Sequence, residues 1–333
     1  MSTSAVTVTL PELAGNPMQD ALNAAGVQAA HVESLWWLMF WVCTIVFVAT
    51  MIALAASVVR ARRADERDES RVSAPGERRL TRWVAGSVAV SVVLLGVLFF
   101  ASIFTDRALA QLPLEDAVHI DLTGYQWWWE ARYDDATASN VFTTANELHV
   151  PVGRPVLVTL RASDVIHSLW IPNLAGKKDL IPGRTNTLAF RADAPGVYRA
   201  QCAEFCGWQH ANMALFVVAE SPADFGKWLD AQRSPAAEPS TDTLKHGRDV
   251  FEKGTCAMCH AIKGTNANAV RAPDLTHVAS RRSLGAGVVP NTKEHRAAWV
   301  GDAPAIKPGT YMPPQPMPQA DFDALLAYLG SLR

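Results

Sequence analysis

Hydrophobic positions along this 333-residue chain follow two regimes. Near the N-terminus they run without interruption: residues 34–59 (SLWWLMFWVCTIVFVATMIALAASVV) contain no charge, and neither do residues 83–105 (WVAGSVAVSVVLLGVLFFASIFT). A bilayer core of about 30 Å needs about 20 apolar residues of helix, so each run predicts a membrane span rather than a buried core helix. Trp36, Trp37 and Trp83 suit interfacial anchors, and Cys43, in mid-span, reads as a small apolar residue. Beyond residue 106 the runs shorten to AVHIDLTGYQWWWEARY, NELHVPVG, PVLVTL, NTLAF, GVYRAQC and MALFVVAE, separated by Pro and Gly turns. That pattern predicts a small all-β sandwich or barrel over residues 106–232, ending in a short helix (PADFGKWLDAQR) capped by Ser221. Residues 233–243, rich in Pro, Ser, Ala and Thr, read as a linker. From residue 244 to 333 the segments LKHGRDVFEKGT, HRAAWVGD and DFDALLAYLGSLR predict an all-α module.

Charge gives the hairpin a direction. Residues 1–59 hold no Lys or Arg, whereas residues 60–82 hold eight Arg against five acids. The positive-inside rule therefore puts the 60–82 loop of the 34–105 hairpin in the cytoplasm. The 1–33 tail and everything after the second span then lie outside. No basic region with a short apolar stretch precedes residue 34, so the first span is expected to act as its own insertion signal. Composition adds exclusions. With 49% hydrophobic and 19% charged residues the chain is not disordered, and five Cys are too few for a disulfide scaffold. A net charge of −2 without a basic stripe gives no sign of nucleic-acid binding.

Two constellations carry chemistry. In CAEFCGWQHANM (202–213), Cys202, Cys206, His210 and Met213 fall within twelve residues, and His167 lies upstream in DVIHSLWIP. Thiolate and thioether sulfur together with imidazole favour copper. Two thiolates four residues apart can both bridge two metal ions, with the Glu204 carbonyl near enough to help. The expected product is a binuclear, mixed-valence copper centre that moves one electron. A Cys202–Cys206 disulfide would leave the His and Met spacing unexplained, and Met is an unusual zinc ligand. The second constellation, CAMCH at 256–260, is the C-x-x-C-H of covalent haem attachment through Cys256 and Cys259, with His260 as axial ligand. Met312 (KPGTYMPP) and Met317 (QPMPQ) are candidates for the sixth ligand.

These motifs resemble subunit II of haem–copper cytochrome c oxidases. DVIHSLWIP followed by CAEFCGWQHANM is similar to the CuA domain of that family. The two spans and the aromatic run GYQWWWE (124–130) extend the likeness over roughly residues 20–230. The segment from APDLTHVASRRSL to KPGTYMP resembles the cytochrome c module fused to subunit II in caa-type oxidases. The resemblance implies a multidomain membrane protein: a two-helix transmembrane hairpin, an all-β cupredoxin-like CuA domain and an all-α cytochrome c domain. It implies His167, Cys202, the carbonyl of Glu204, Cys206, His210 and Met213 as copper ligands. The Glu204 side chain would reach a Mg ion at the border with subunit I. Trp127 aligns with the exposed tryptophan where electrons enter, although on a continuous strand it would share a face with Trp129. Haem c would be held by Cys256, Cys259, His260 and Met312, with Met317 at the surface or packing.

The same resemblance implies subunit I and subunit III as partners in a bacterial cell membrane. A cytochrome c or cytochrome bc complex would be the donor rather than quinol, and oxygen would be reduced in subunit I. A CuA-bearing nitric oxide reductase subunit or a free membrane-anchored electron carrier would share these motifs. The family's acidic residue at the cytoplasmic start of the second span has no match closer than Glu77, several residues before it. Residues 106–232 carry 10 Lys and Arg against 15 Asp and Glu, and residues 243–333 carry 11 against 7. Opposite signs on two tethered modules would steer their encounter, so haem c is expected to pass electrons to the copper pair within the chain.

Overall fold

The computed structural model describes residues 18–63 and 74–333; residues 1–17 of the expected tail and 64–73 of the expected loop lie outside it. The two apolar runs form helices longer than themselves, α1 (Val27–Arg63) and α2 (Ala74–Leu109). Both are long and apolar enough to cross a membrane, with mean hydropathy 2.6. They overrun the expected span ends because Arg, Glu and Leu beside each run are good helix formers, so both ends of the 60–82 segment are helical. Ile45, Phe47, Val93 and Phe104 point away from protein. The hydroxyls of Thr50, Ser57 and Ser91 donate to the carbonyls four residues earlier, which satisfies them without water. Residues 30–111 form one compact unit; residues 18–29 and 112–333 belong to the other.

The second unit begins with a β-sandwich of ten strands: β1 (Val118–Tyr125), β2 (Trp128–Tyr133), β3 (Phe142–Ala145), β4 (Glu147–Pro151), β5 (Val156–Ala162), β6 (His167–Trp170), β7 (Lys177–Leu180), β8 (Asn186–Phe190), β9 (Gly196–Cys202) and β10 (Ala214–Glu220). One sheet runs β3-β2-β1-β5-β8 and the other β4-β10-β9-β6-β7. The pairs β1/β5 and β4/β10 are parallel and the remaining pairs antiparallel. This is the expected cupredoxin-like layering. Period-2 burial builds the core, as in β5, where Val156, Val158 and Leu160 are buried and their neighbours are not. β10 departs from alternation and is buried at six consecutive positions. Its flank meets the following module: the Ala214 N–H donates to Ala286 O at 2.9 Å, and a Cβ built at Gly287 would lie 3.4 Å from the Phe216 ring.

The run 117–133 is not one strand. It turns at Gln126–Trp127, where the Gln126 N–H donates to Asp164 Oδ2 at 2.6 Å, and β1 pairs with β2. Trp127 therefore leaves the strand face that alternation assigned to it. Trp129 is core, and Trp128 stacks on Tyr125 at 4.5 Å. Residues ahead of α1 also pack on the sandwich: the Ala25 N–H donates to Asn173 O, and Met18 exchanges backbone bonds with Val197 and Arg199.

Ser221 caps α3 (Pro222–Arg233), with Pro at the first helical turn as expected. The helical module follows: α4 (Asp242–Lys253), a small hairpin of β11 (Ser283–Leu284) and β12 (Val289–Pro290), α5 (Lys293–Gly301), α6 (Ala303–Ile306) and α7 (Gln319–Ser331). Side chains of Thr241, Thr292 and Asp302 cap α4, α5 and α6, each contributing about 1 kcal/mol. The module's own core gathers Phe251, Ile262, Val300, Leu325 and Tyr328, separate from that of the sandwich.

α4 crosses α7 at Gly247, where a Cβ would stand 2.1 Å from Ala324 O. Gly247→Ala should destabilise the helical module by about 3 kcal/mol through overpacking. In α3, Gly226 faces open space, and Gly226→Ala should stabilise by about 0.5–1 kcal/mol. Denaturant unfolding of the two variants, followed by circular dichroism, should move the midpoint in opposite directions.

Candidate metal centre

The loop 203–213 joins β9 to β10. Its ends are clasped by the Cys202 N–H donating to Met213 O at 3.0 Å, so residues eleven apart become neighbours. The Ala203 N–H donates to Ser168 O at 2.9 Å, which holds the loop against β6 and its His167. Four of the five expected side-chain donors, His167, Cys202, Cys206 and Met213, are buried to 2% exposure or less, and His210 is half-buried. Among the described residues, the cluster of His, Cys, Asp and Glu able to hold a metal is His167, Cys202 and Cys206.

The sulfurs of Cys202 and Cys206 lie 3.7 Å apart, so they are not bonded to each other. Cys202 Sγ is 3.9 Å from His167 Nδ1, and Cys206 Sγ is 3.7 Å from His210 Nδ1. Met213 Sδ stands 3.8 Å from Cys206 Sγ, and Glu204 O stands 3.2 Å from Cys202 Sγ. A metal–thiolate bond is about 2.3 Å, so one ion can touch both sulfurs at this separation, and so can two. The histidines flank opposite sulfurs, and the thioether and carbonyl do likewise. This donor set fits a pair of soft ions.

Electrostatics agree. The contact with Cys206 pulls the Cys202 thiol well below its ordinary range, helped by His167 and by the Ser168 and Glu204 backbones. The same interaction pushes Cys206 up, with burial adding to it. Two thiolates this close repel each other, so ionising both needs positive ions beside them.

Three supporting residues had no individual signal in the sequence. Asp164 Oδ1 lies 2.9 Å from His167 Nε2. A carboxylate there holds the proton on Nε2 and leaves the Nδ1 lone pair facing Cys202. Gly124 of the aromatic run gives the imidazole its space, because a Cβ there would lie 2.9 Å from His167 Cδ2. Lys177 Nζ pairs with the Glu204 carboxylate at 3.1 Å, so the side chain expected to reach Mg is ion-paired here.

Trp127 corrects an expectation. It was expected to be exposed, yet it is 8% exposed, because the Gly309 turn of the helical module covers its ring. Gly309 has φ +86, and its Cβ would lie 3.3 Å from that ring. The Trp127 Nε1–H donates to Cys206 O at 2.8 Å, so the indole lies between the module and the sulfur loop. Trp208 and Phe205 of that loop project to solvent.

In the helical module, Cys256–Met258 form a single 3-10 turn, and the His260 N–H donates to Cys256 O. This puts both cysteines and His260 on one compact loop. His260 Nδ1 is 2.7 Å from Pro273 O. A carbonyl accepts and never donates, so Nδ1 carries the proton and Nε2 keeps its lone pair for an iron. Burial lowers the pKa of His260, which keeps the ring neutral. Met317 packs on the module's core, whereas Met312 is not among the residues packed there.

Comparison with known proteins adds two family matches. Residues 136–220 match "Cytochrome C oxidase subunit II, periplasmic domain", and residues 244–333 match "Cytochrome c". The chain is 32% identical to a cytochrome c oxidase subunit 2 of Alkalihalophilus pseudofirmus, over 99% of this chain and 95% of that protein. It is 29% identical to the Bacillus subtilis counterpart, over 96% and 93%. Among solved structures, the periplasmic domain of subunit II of the Bradyrhizobium japonicum cytochrome oxidase aligns with TM-score 0.34 and 29% identity. That alignment covers 37% of this chain and 97% of that domain.

Asp164→Asn would replace the carboxylate with an amide while keeping its shape. It should weaken copper binding about 10- to 100-fold, since His167 loses the partner that fixes its tautomer. Titration with a competing chelator would read the change.

Proposed function

The chain belongs to the cytochrome c oxidase subunit 2 family, and on that premise we propose that it is the electron-inlet subunit of a caa-type haem–copper oxidase. Its fused cytochrome c domain is the first acceptor and a binuclear copper centre the relay to subunit I, where oxygen is reduced to water. The observation that carries this reading is the buried, unbonded sulfur pair at 3.7 Å with a histidine on each side. When bound, the coppers and the haem supply one-electron chemistry that side chains alone lack.

On this reading Cys202 and Cys206 would hold the copper pair through their thiolates. His167 and His210 complete one side each, with Met213 and the Glu204 carbonyl as weaker donors. Asp164 orients His167, and the shell around it, 0% exposed at His167 and Met213, keeps water from the sulfurs. Cys256 and Cys259 carry the haem thioethers. His260, its Nδ1 proton held by the Pro273 carbonyl, would hold the haem through Nε2, and Met312 would be the second protein ligand. Trp127 spans the gap between the Met312 loop and Cys206.

The two apolar helices anchor the chain in a membrane. Residues 18–29, which precede the first span, pack on the sandwich that follows the second. This supports both ends lying on one side, and the Arg-rich stretch between the spans makes that the outer side of a bacterial cell membrane. Subunits I and III are then membrane partners, with a cytochrome c or cytochrome bc complex upstream.

Metal and haem analysis of the purified complex tests the reading. Two coppers and one covalent haem are expected from this chain, beyond those of subunit I. Cys206→Ser should leave fewer than two coppers and abolish the near-infrared band of a mixed-valence pair. A wild-type chain that holds one copper or none overturns the proposal. Met312→Ala should convert the haem c from low to high spin, whereas Met317→Ala should leave its spectrum intact and lower stability.

A further inference from the structure

Lys307 is a buried ammonium, 2% exposed, at the end of α6. It forms no ion pair among the described residues. Its three N–H bonds go to three backbone carbonyls: Trp127 O, Asn212 O and Gly285 O, each at 2.7 Å. An ammonium has three donors and no acceptor, so the set is complete. Burial pulls its pKa down to about 7 against the opposing charge interaction with Cys206, and the three carbonyl dipoles are what favour the protonated form by hydrogen bonding.

The three acceptors come from different places. Trp127 lies in the β1–β2 turn of the sandwich, Asn212 in the copper-ligand loop between His210 and Met213, and Gly285 in the helical module. Five residues after Lys307 comes Met312, on the loop that begins Lys307-Pro308-Gly309. Around the lysine the same surfaces meet again. Gln209 Nε2–H donates to Pro308 O at 2.8 Å, and the Gln209 amide is itself held by Asn212 at 2.7 Å. The Ala214 N–H bonds Ala286 O, and Gly309 lies on Trp127. Both loops expected to carry redox ligands are thus pinned to one nitrogen atom.

We propose that Lys307 is a positioning residue, locking the Met312 loop of the cytochrome domain to the copper-ligand loop so that electrons cross within a docked pair of domains. The proposal rests on the assignment of the two cofactors above, but docking itself is measurable without either. Encounter of tethered domains, expected from their opposite charges, is the alternative. An encounter would slow with viscosity and respond to salt; transfer in a locked pair would do neither.

The test uses the full-length chain in its oxidase complex and two variants. Lys307→Met keeps length and loses the donors. Gly287→Leu places a wedge where a Cβ would already lie 2.9 Å from Ala214 Cβ, away from the Met312 loop. Hydrogen exchange of the peptide containing Ala214, measured with and without bound metal and haem, should accelerate at least tenfold in both variants. With cofactors in place, flash-induced transfer from haem c to copper should fall at least tenfold in both and become dependent on viscosity and salt. The absorbance band of methionine-ligated haem should remain. Unchanged exchange at Ala214 in Lys307→Met overturns the proposal. So does slowed transfer with loss of the methionine band, which would make Lys307 a support for Met312 within the module alone. A failure of the cofactor assignment would show instead as missing copper or haem in the wild type, with the exchange result still readable.

Discussion

Two buried sulfur atoms 3.7 Å apart set a charge condition that the surrounding fold has to meet. Water cannot solvate a second thiolate there, so the pair ionises fully when cations sit against it. A pair of alcohols would have no such appetite, and a disulfide would abolish it. Backbone bonds alone bring the sulfurs together: Cys202 to Met213 closes the loop, and Ala203 to Ser168 brings His167 alongside. Side chains then tune what the backbone has placed. Asp164 sets a tautomer, and Gly124 leaves the room the imidazole needs.

That division accounts for what the sequence disclosed. Donor chemistry is a property of residue types at short spacing, so the Cys–Cys–His–Met loop and the C-x-x-C-H were readable directly. The two spans were readable because an uncharged apolar run of more than about 20 residues matches the thickness of a bilayer and outruns the helices of a soluble core. The runs that became β4, β5, β8, β9 and β10 announced themselves by β-branched residues between turns. β6 and β7 did not: HSLW and KKDL are four residues each, and they are strands because β9 pairs with β6 and β6 with β7. The aromatic run misled for a similar reason. Its strand-like composition conceals a turn whose cause, a carboxylate 38 positions away, is tertiary.

Asp164 and Lys307 were invisible for a second reason. Asp164 is a common residue type in an unremarked position, and its role exists only relative to His167. Lys307 chooses backbone carbonyls as partners, and every residue has one, so no spacing or complementary charge betrays the contact. A buried lysine paired with a glutamate would leave a two-letter trace; one bound to three peptide oxygens leaves none.

The charge imbalance between the two outer modules invites the idea that long-range attraction brings them together. The contact that forms is of another kind. Carbonyls, glycines and an indole ring take part in it, and the carboxylate of Glu147 accepts from the Arg282 backbone N–H. Such contacts act over a few ångströms and are little affected by salt, whereas surface charges are screened beyond about 10 Å. Net charge can shape how the modules first approach as the chain folds. What holds them afterwards has to be short-ranged and directional, because an electron relay depends on the separation and orientation of its loops. The Lys307 ammonium supplies two contacts of that kind, to the peptide oxygens of Trp127 and Asn212, while its third, to Gly285, ties it to its own module.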